Sequence, residues 1–232
     1  LSPGDPFALA GADGCKAGWV LAGQTHGGRV RVEVVADVPA MLARVEGVLA
    51  VDMPIGLPDG VHFPFRPCDH EARLRLGPRR SSIFPAPMRA MLTATSHRAA
   101  CDDGMARCGK GLSLQAWHLI PKIRELDDAL TPQARARVIE CHPELSFTAM
   151  NGGLPLSYAK KHPEGREARE SLIARHVGPW QLDARHSGAG RDDVLDALAA
   201  LWTARRHAAG CSTTMGDPSH RDERGLPMRI VW

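Results

Sequence analysis

Three strand-like segments crowd into the first thirty-five residues with no helical pattern between them. Phe7 to Asp13 is a short apolar run, and Trp19 to Gly23 is a second. Arg29-Val-Arg-Val-Glu-Val-Val35 alternates polar and apolar residues with the period of a half-buried strand. Gly14 to Gly18 and Gly27-Gly28 supply the turns. The reading is an antiparallel meander of three strands. A helix is expected from Pro39 to about Val45, capped by Asp37. Gly47-Val-Leu-Ala-Val-Asp52 then follows as a buried parallel strand, and the first and fourth strands are expected as neighbours.

Pro54 and Pro58 break the pattern, and a long Arg- and Pro-rich stretch follows with one short helix near Cys68–Leu76. Ser113 to Leu130 is amphipathic, with a bend expected at Pro121. Arg137 to Cys141 reads as a fifth strand, and Pro163–His176 and Asp193–His207 read as helices. Met228 to Trp232 reads as a terminal strand, and the Gly-rich stretch 182–191 as a flexible approach to the last helix. The expected fold is α/β: a mixed five-stranded sheet, meander plus parallel strands, flanked by helices. With 232 residues, 44% of them hydrophobic, one domain over 1–232 is expected, carrying an insertion at 54–111.

The formal charge of +3 does not demand a nucleic-acid partner. Its distribution is uneven: from Pro54 to Lys110, nine Lys/Arg face five Asp/Glu, a net of +4. A basic surface beside an acidic site would suit a polyanion. Six cysteines are scattered without a CxxC pair, which argues against a disulfide scaffold or a structural zinc site. Cys101, Cys108 and nearby His97 are a weak zinc signal. Reduced thiols point to the cytoplasm, and no apolar run is long enough to span a bilayer. Oligomeric state is open.

The carboxylates carry the chemistry. Asp13 and Asp52 each close an apolar run, and a carboxylate there is costly unless paired, hydrogen-bonded or metal-bound. Neighbouring strands would bring both into one cleft. Asp196 interrupts the apolar face of the last helix, with Asp193 one turn before it and Asp192 free to cap. Glu140 interrupts the fifth strand, which is read as lying beside the first, and Glu144 follows it. Hard cations such as Mg²⁺ or Mn²⁺ take such oxygen ligands.

Several stretches together resemble the domain-of-unknown-function family 429, predicted to be RNase H-like nucleases. They are Gly11-Ala-Asp-Gly-Cys-Lys-Ala-Gly-Trp19, Val51-Asp-Met-Pro-Ile-Gly-Leu-Pro58 and Arg79-Arg-Ser-Ser-Ile-Phe-Pro85. Glu140-Cys-His-Pro-Glu144, Lys160-Lys-His-Pro-Glu-Gly165 and Asp192-Asp-Val-Leu-Asp-Ala-Leu198 follow in order. The last helix is also similar to that of Holliday-junction resolvases, where the pattern falls on Asp193 and Asp196. That resemblance places first-strand and fourth-strand metal acids at Asp13 and Asp52. Resolvases usually carry Glu at the latter position.

The resemblance implies metal-dependent hydrolysis of nucleic-acid phosphodiesters, by DNA or RNA substrate unspecified. Asp13, Asp52, Asp193 and Asp196 would hold Mg²⁺ or Mn²⁺, with Glu140 an added catalytic acid. Arg79, Arg80, Lys160 and Lys161 would contact phosphate. One alternative is an inactive binding or scaffold protein on the same fold. Another is an actin-like ATP-dependent phosphotransferase, for which Asp13-Gly14 is only a faint phosphate loop. Cys141-His142 is not expected to form a catalytic dyad, because neighbours on a strand point to opposite faces.

Overall fold

In the computed structural model, which describes residues 5–182 and 188–232, the first three strands form the expected meander. β1 (Leu9–Cys15), β2 (Gly18–Gln24) and β3 (Val30–Val35) pair antiparallel, with Asp13 opposite Val20 and Ala22 opposite Val32. Asp37 caps α1 (Val38–Arg44): its carboxylate accepts from the Ala40 N–H at 2.8 Å. β4 (Leu49–Val51) returns parallel to β1. After it come α2 (Pro67–Leu76), α3 (His97–Cys108) and α4 (Leu114–Ala129), with Pro121 inside α4 as expected.

The chain then resumes the sheet through α5 (Pro132–Arg135) and β5 (Val138–Glu140), which is parallel to β4. α6 (Pro143–Met150) and α7 (Pro163–His176) follow, then β6 (Trp180–Leu182) and α8 (Arg191–Ala208). The strand order is β5-β4-β1-β2-β3-β6. Two corrections to the sequence reading concern this sheet. It has six strands, not five, because Trp180-Gln-Leu182 adds to β3 in parallel. Three residues are too few to show a period, so no strand was visible there. The fifth strand also lies beside β4, not beside β1.

The expected terminal strand is reduced to β8 (Ile230–Val231), which pairs with β7 (Thr214–Met215) in a separate two-stranded sheet. Val231 also bridges to Cys141 in parallel. The expected flexible approach over 182–191 lies partly outside the described residues, at 183–187.

The chain divides into two compact units. The first, Leu1–Met53, Ala129–Thr213 and Val231–Trp232, contains the six-stranded sheet. Its central helix is α8, buried continuously from Val194 to Ala204. A helix apolar on all sides belongs in a core. Gly11 of β1 permits the close packing: a Cβ there would sit 2.0 Å from the Leu201 nitrogen and 2.4 Å from the Ala197 carbonyl oxygen. Val20, Ala22 and Val32 pack with Leu198 and Leu201 on this face.

The second unit, Pro54–Asp128 and Thr214–Ile230, is knitted by ion pairs. Arg66 and Asp69 are both buried and meet at 2.5 Å, while Arg66 also donates to the carbonyls of Ile55 and Gly56. Arg89 pairs with both Asp127 and Asp222. Asp222 further accepts from the backbone N–H groups of Leu57 and Leu226. Two of the nine cations of the 54–110 segment are therefore engaged inside the fold. Arg66 and Arg89 are struts, not surface cations.

Candidate metal centre

The parallel register pairs Ala12 of β1 with Val51 of β4. One residue further on, Asp13 and Asp52 stand side by side, and the Asp52 N–H donates to the Ala12 carbonyl at 2.9 Å. Strand alternation fixes their face: Gly11 faces α8, so Asp13 does too, and Ala50 packs with Ala200 and Ala204, so Asp52 follows it. α8 crosses Gly11 at Ala197–Leu201, which brings Asp196, just before that crossing, over the strand ends. Ligand oxygens of Asp13, Asp52 and Asp196 lie within 4.8 Å of one another. Asp13 and Asp196 are buried, and Asp52 is half-buried.

Three carboxylates in such a space cannot all ionise freely. Burial, then the charges of Asp52, Asp196 and Asp193, push Asp13 well above the usual carboxylate range, and Lys160 opposes the shift. Burial also raises Asp52, against the countering effects of His142 and Lys160. Burial raises Asp196 to about 6, although Lys160 works the other way. The Lys160 ammonium donates to Asp196 Oδ2 at 2.7 Å. Burial disfavours its charge, but Asp196, Asp13 and Asp52 outweigh that and hold its pKa above the ordinary lysine value. A cation is already drawn to this cluster from the protein itself.

A second tier supports the loop that carries Lys160. Arg169 of α7 is buried and pairs with the buried Glu144 of α6. The same guanidinium donates to the Gly165 carbonyl at 2.7 Å and the Tyr158 carbonyl at 3.3 Å, bracketing Lys160 in sequence. His142 caps α6, its Nδ1 accepting from the Glu144 N–H at 3.3 Å. Sequence reasoning passed over Arg169 and gave His142 no site role. The available signal for Arg169 is a cation one turn before the apolar pair Leu172-Ile173.

The remaining expected site residues lie outside the three-carboxylate group, although the Asp193 charge is felt at Asp13. The Asp193 Oδ2 accepts from the Gly190 N–H at 2.8 Å and so closes the start of α8. Glu140 is buried on β5 opposite Val51, while its neighbours Ile139 and Cys141 pack toward α8. Alternation therefore turns Glu140 to the other face of the sheet. Cys141 shares the row of Asp13 and Asp52. Burial, then Asp52, Glu140, Asp13 and Asp196, push its thiol well up, which keeps it protonated and unsuited to nucleophilic attack.

Lys161 is exposed beside Lys160. Arg79 and Arg80 lie on the 3₁₀ turn Gly77–Ser82 of the second unit, Arg79 half-buried and Arg80 exposed. Of the weak zinc signal, His97 and Cys101 meet at 3.4 Å on α3, but no third ligand joins them among the described residues. No helix among the described residues is long and apolar enough to cross a membrane.

A family model described as "Protein of unknown function (DUF429)" matches residues 11–221. No curated protein matches the chain, and no solved structure does.

Proposed function

Because the chain belongs to the DUF429 family, whose description assigns no reaction, we propose its chemistry from the site: metal-dependent, RNase H-like hydrolysis of nucleic-acid phosphodiesters. The observation that supports this most is the convergence of Asp13, Asp52 and Asp196 within 4.8 Å on the face of the sheet covered by α8. An all-oxygen, all-anionic donor set suits a hard divalent cation, Mg²⁺ or Mn²⁺. The raised pKa values come from burial first and from the neighbouring carboxylates second, and an ion bound among them would favour their charged forms. Bound there, the ion would polarise a phosphodiester and make an attacking water more acidic.

The chain's own residues have separate tasks on this reading. Asp13, Asp52 and Asp196 hold the ion. Asp193 keeps the start of α8 closed and so fixes Asp196. Lys160 exchanges its Asp196 contact for a phosphate oxygen, and Arg169 with Glu144 positions the loop that presents it. Lys161, Arg79 and Arg80 are further phosphate contacts.

The test incubates labelled single-stranded, duplex and branched DNA and RNA with the protein and Mg²⁺ or Mn²⁺. Cleavage is expected with at least one substrate, falling by at least about a hundredfold in Asp13→Asn, since even outer-shell changes at metal sites reach that size. A second reading is favoured by the Lys160–Asp196 pair at 2.7 Å, which already offsets one of the negative charges: a non-catalytic binding protein on the same fold. Binding without products, and a melting temperature unmoved by either metal, would select it.

A further inference from the structure

The second unit contains a cavity of about 490 Å³ that the carboxylate chemistry does not use. Its size falls within the ~300–1,000 Å³ of small-molecule sites. Met88 and Met91 line it as buried apolar residues, and Phe65 lines it while remaining 37% exposed. Cations flank this apolar surface. Lys110 holds its ammonium 4.5 Å from the centre of the Phe65 ring. Arg73 donates through Nη1 to the carbonyls of Arg80 and Ile83. The single lining carboxylate, Asp69, is occupied by Arg66 and by the Ala86 N–H at 3.0 Å.

The Arg66–Asp69 pair therefore cancels within the wall and ties Ile55, Gly56 and Ala86 together behind it. Arg73 and Lys110 are left without a carboxylate in the lining. A small inorganic anion has no use for the methionines and the ring. A neutral apolar ligand has no use for the two cations. A flat heterocycle joined to a phosphate uses both, through base stacking on an aromatic ring and charge-assisted hydrogen bonds.

We propose that this cavity binds one nucleoside monophosphate unit, its base against Phe65 and the methionines and its phosphate toward Lys110 and Arg73. The site stands on the second unit alone and does not require the hydrolase reading. The half-exposed thiol of Cys108 lines the cavity and serves as a reporter.

The experiment titrates the full chain, in EDTA to silence the carboxylate cluster, with adenosine 5′-monophosphate, adenosine and inorganic phosphate by calorimetry. In parallel, iodoacetamide labelling of Cys108 is followed by mass spectrometry. The monophosphate is expected to bind at least about tenfold more tightly than either fragment and to protect Cys108. Lys110→Ala, which removes the ammonium over the Phe65 ring, should weaken the monophosphate by about tenfold and adenosine by much less. Phe65→Ala should weaken adenosine as well. Monophosphate binding no tighter than phosphate alone, unprotected Cys108, or variants of unaltered melting temperature that bind like the parent would overturn the assignment.

Discussion

Asp13 is the residue where burial and like charge act together, and its energetics have a sign that can be measured. Its pKa is raised in the folded protein, first by burial and then by Asp52 and Asp196. A carboxyl group raised on folding favours the native state most below its unfolded value, near ~3.9, and loses that advantage as pH rises through the folded value. Its neighbour Asp196 is raised as well, to about 6, so the pair loses stability in the same direction of pH. Asp13→Asn keeps the shape and removes the charge. In EDTA the variant should therefore melt increasingly above the parent as pH rises from about 4 to 7, by a few degrees at the top. With saturating Mn²⁺ the order should reverse, because only the parent gains stability from the ion. A melting difference flat with pH in EDTA would remove the repulsion argument.

α8 is the element that turns two strand ends into a site, and its seat depends on Gly11. A methyl group there meets the backbone of Leu201 at 2.0 Å and of Ala197 at 2.4 Å, neither of which can rotate away. Gly11→Ala should destabilise the protein by about 1–3 kcal/mol, the usual range for overpacking a dense core, read from urea unfolding. It should also weaken Mn²⁺ binding, since Asp196 rides on the displaced helix; a stable variant with full affinity would show that α8 does not set the cluster.

The same element shows what the amino-acid order makes legible. Asp13 and Asp52 announce themselves by closing apolar runs, and Asp196 by breaking an apolar helix face. Glu140 carries the same signature yet faces away, because the facing of a three-residue strand depends on its register with β4, and no local pattern encodes that register. β6 is hidden for a related reason: its pairing with β3 is tertiary and its length is below one visible period. Asp193 matches the resolvase spacing, but one of its oxygens accepts from the Gly190 N–H at the helix start.

At the scale of the molecule the question is where the positive charge lies, because not every cation of the basic segment is at the surface. The stretch from Pro54 to Lys110 is net +4, more than the +3 of the entire chain, and its arginines invite a basic-surface reading. Arg66 and Arg89 are instead internal struts of the second unit, paired with Asp69, Asp127 and Asp222. Asp222→Ala would leave Arg89 partly uncompensated and strand the Leu57 and Leu226 amides. It should cost about 3–5 kcal/mol and speed hydrogen exchange at those two amides.

The consequence for nucleic acid is quantitative. On the proposed reading, phosphate falls to Arg79, Arg80, Lys160 and Lys161, and each neutralised duplex phosphate adds about −0.9 to the slope of log K against log salt. Polarisation titrations between about 50 and 300 mM KCl, at fixed Mn²⁺, should then give a slope no steeper than about −4. Charge-removing substitutions at Lys160 and Lys161 should each flatten it by about one. A slope near −8 would require cations beyond these four, and the struts of the second unit could not be among them without breaking the pairs that hold that unit together.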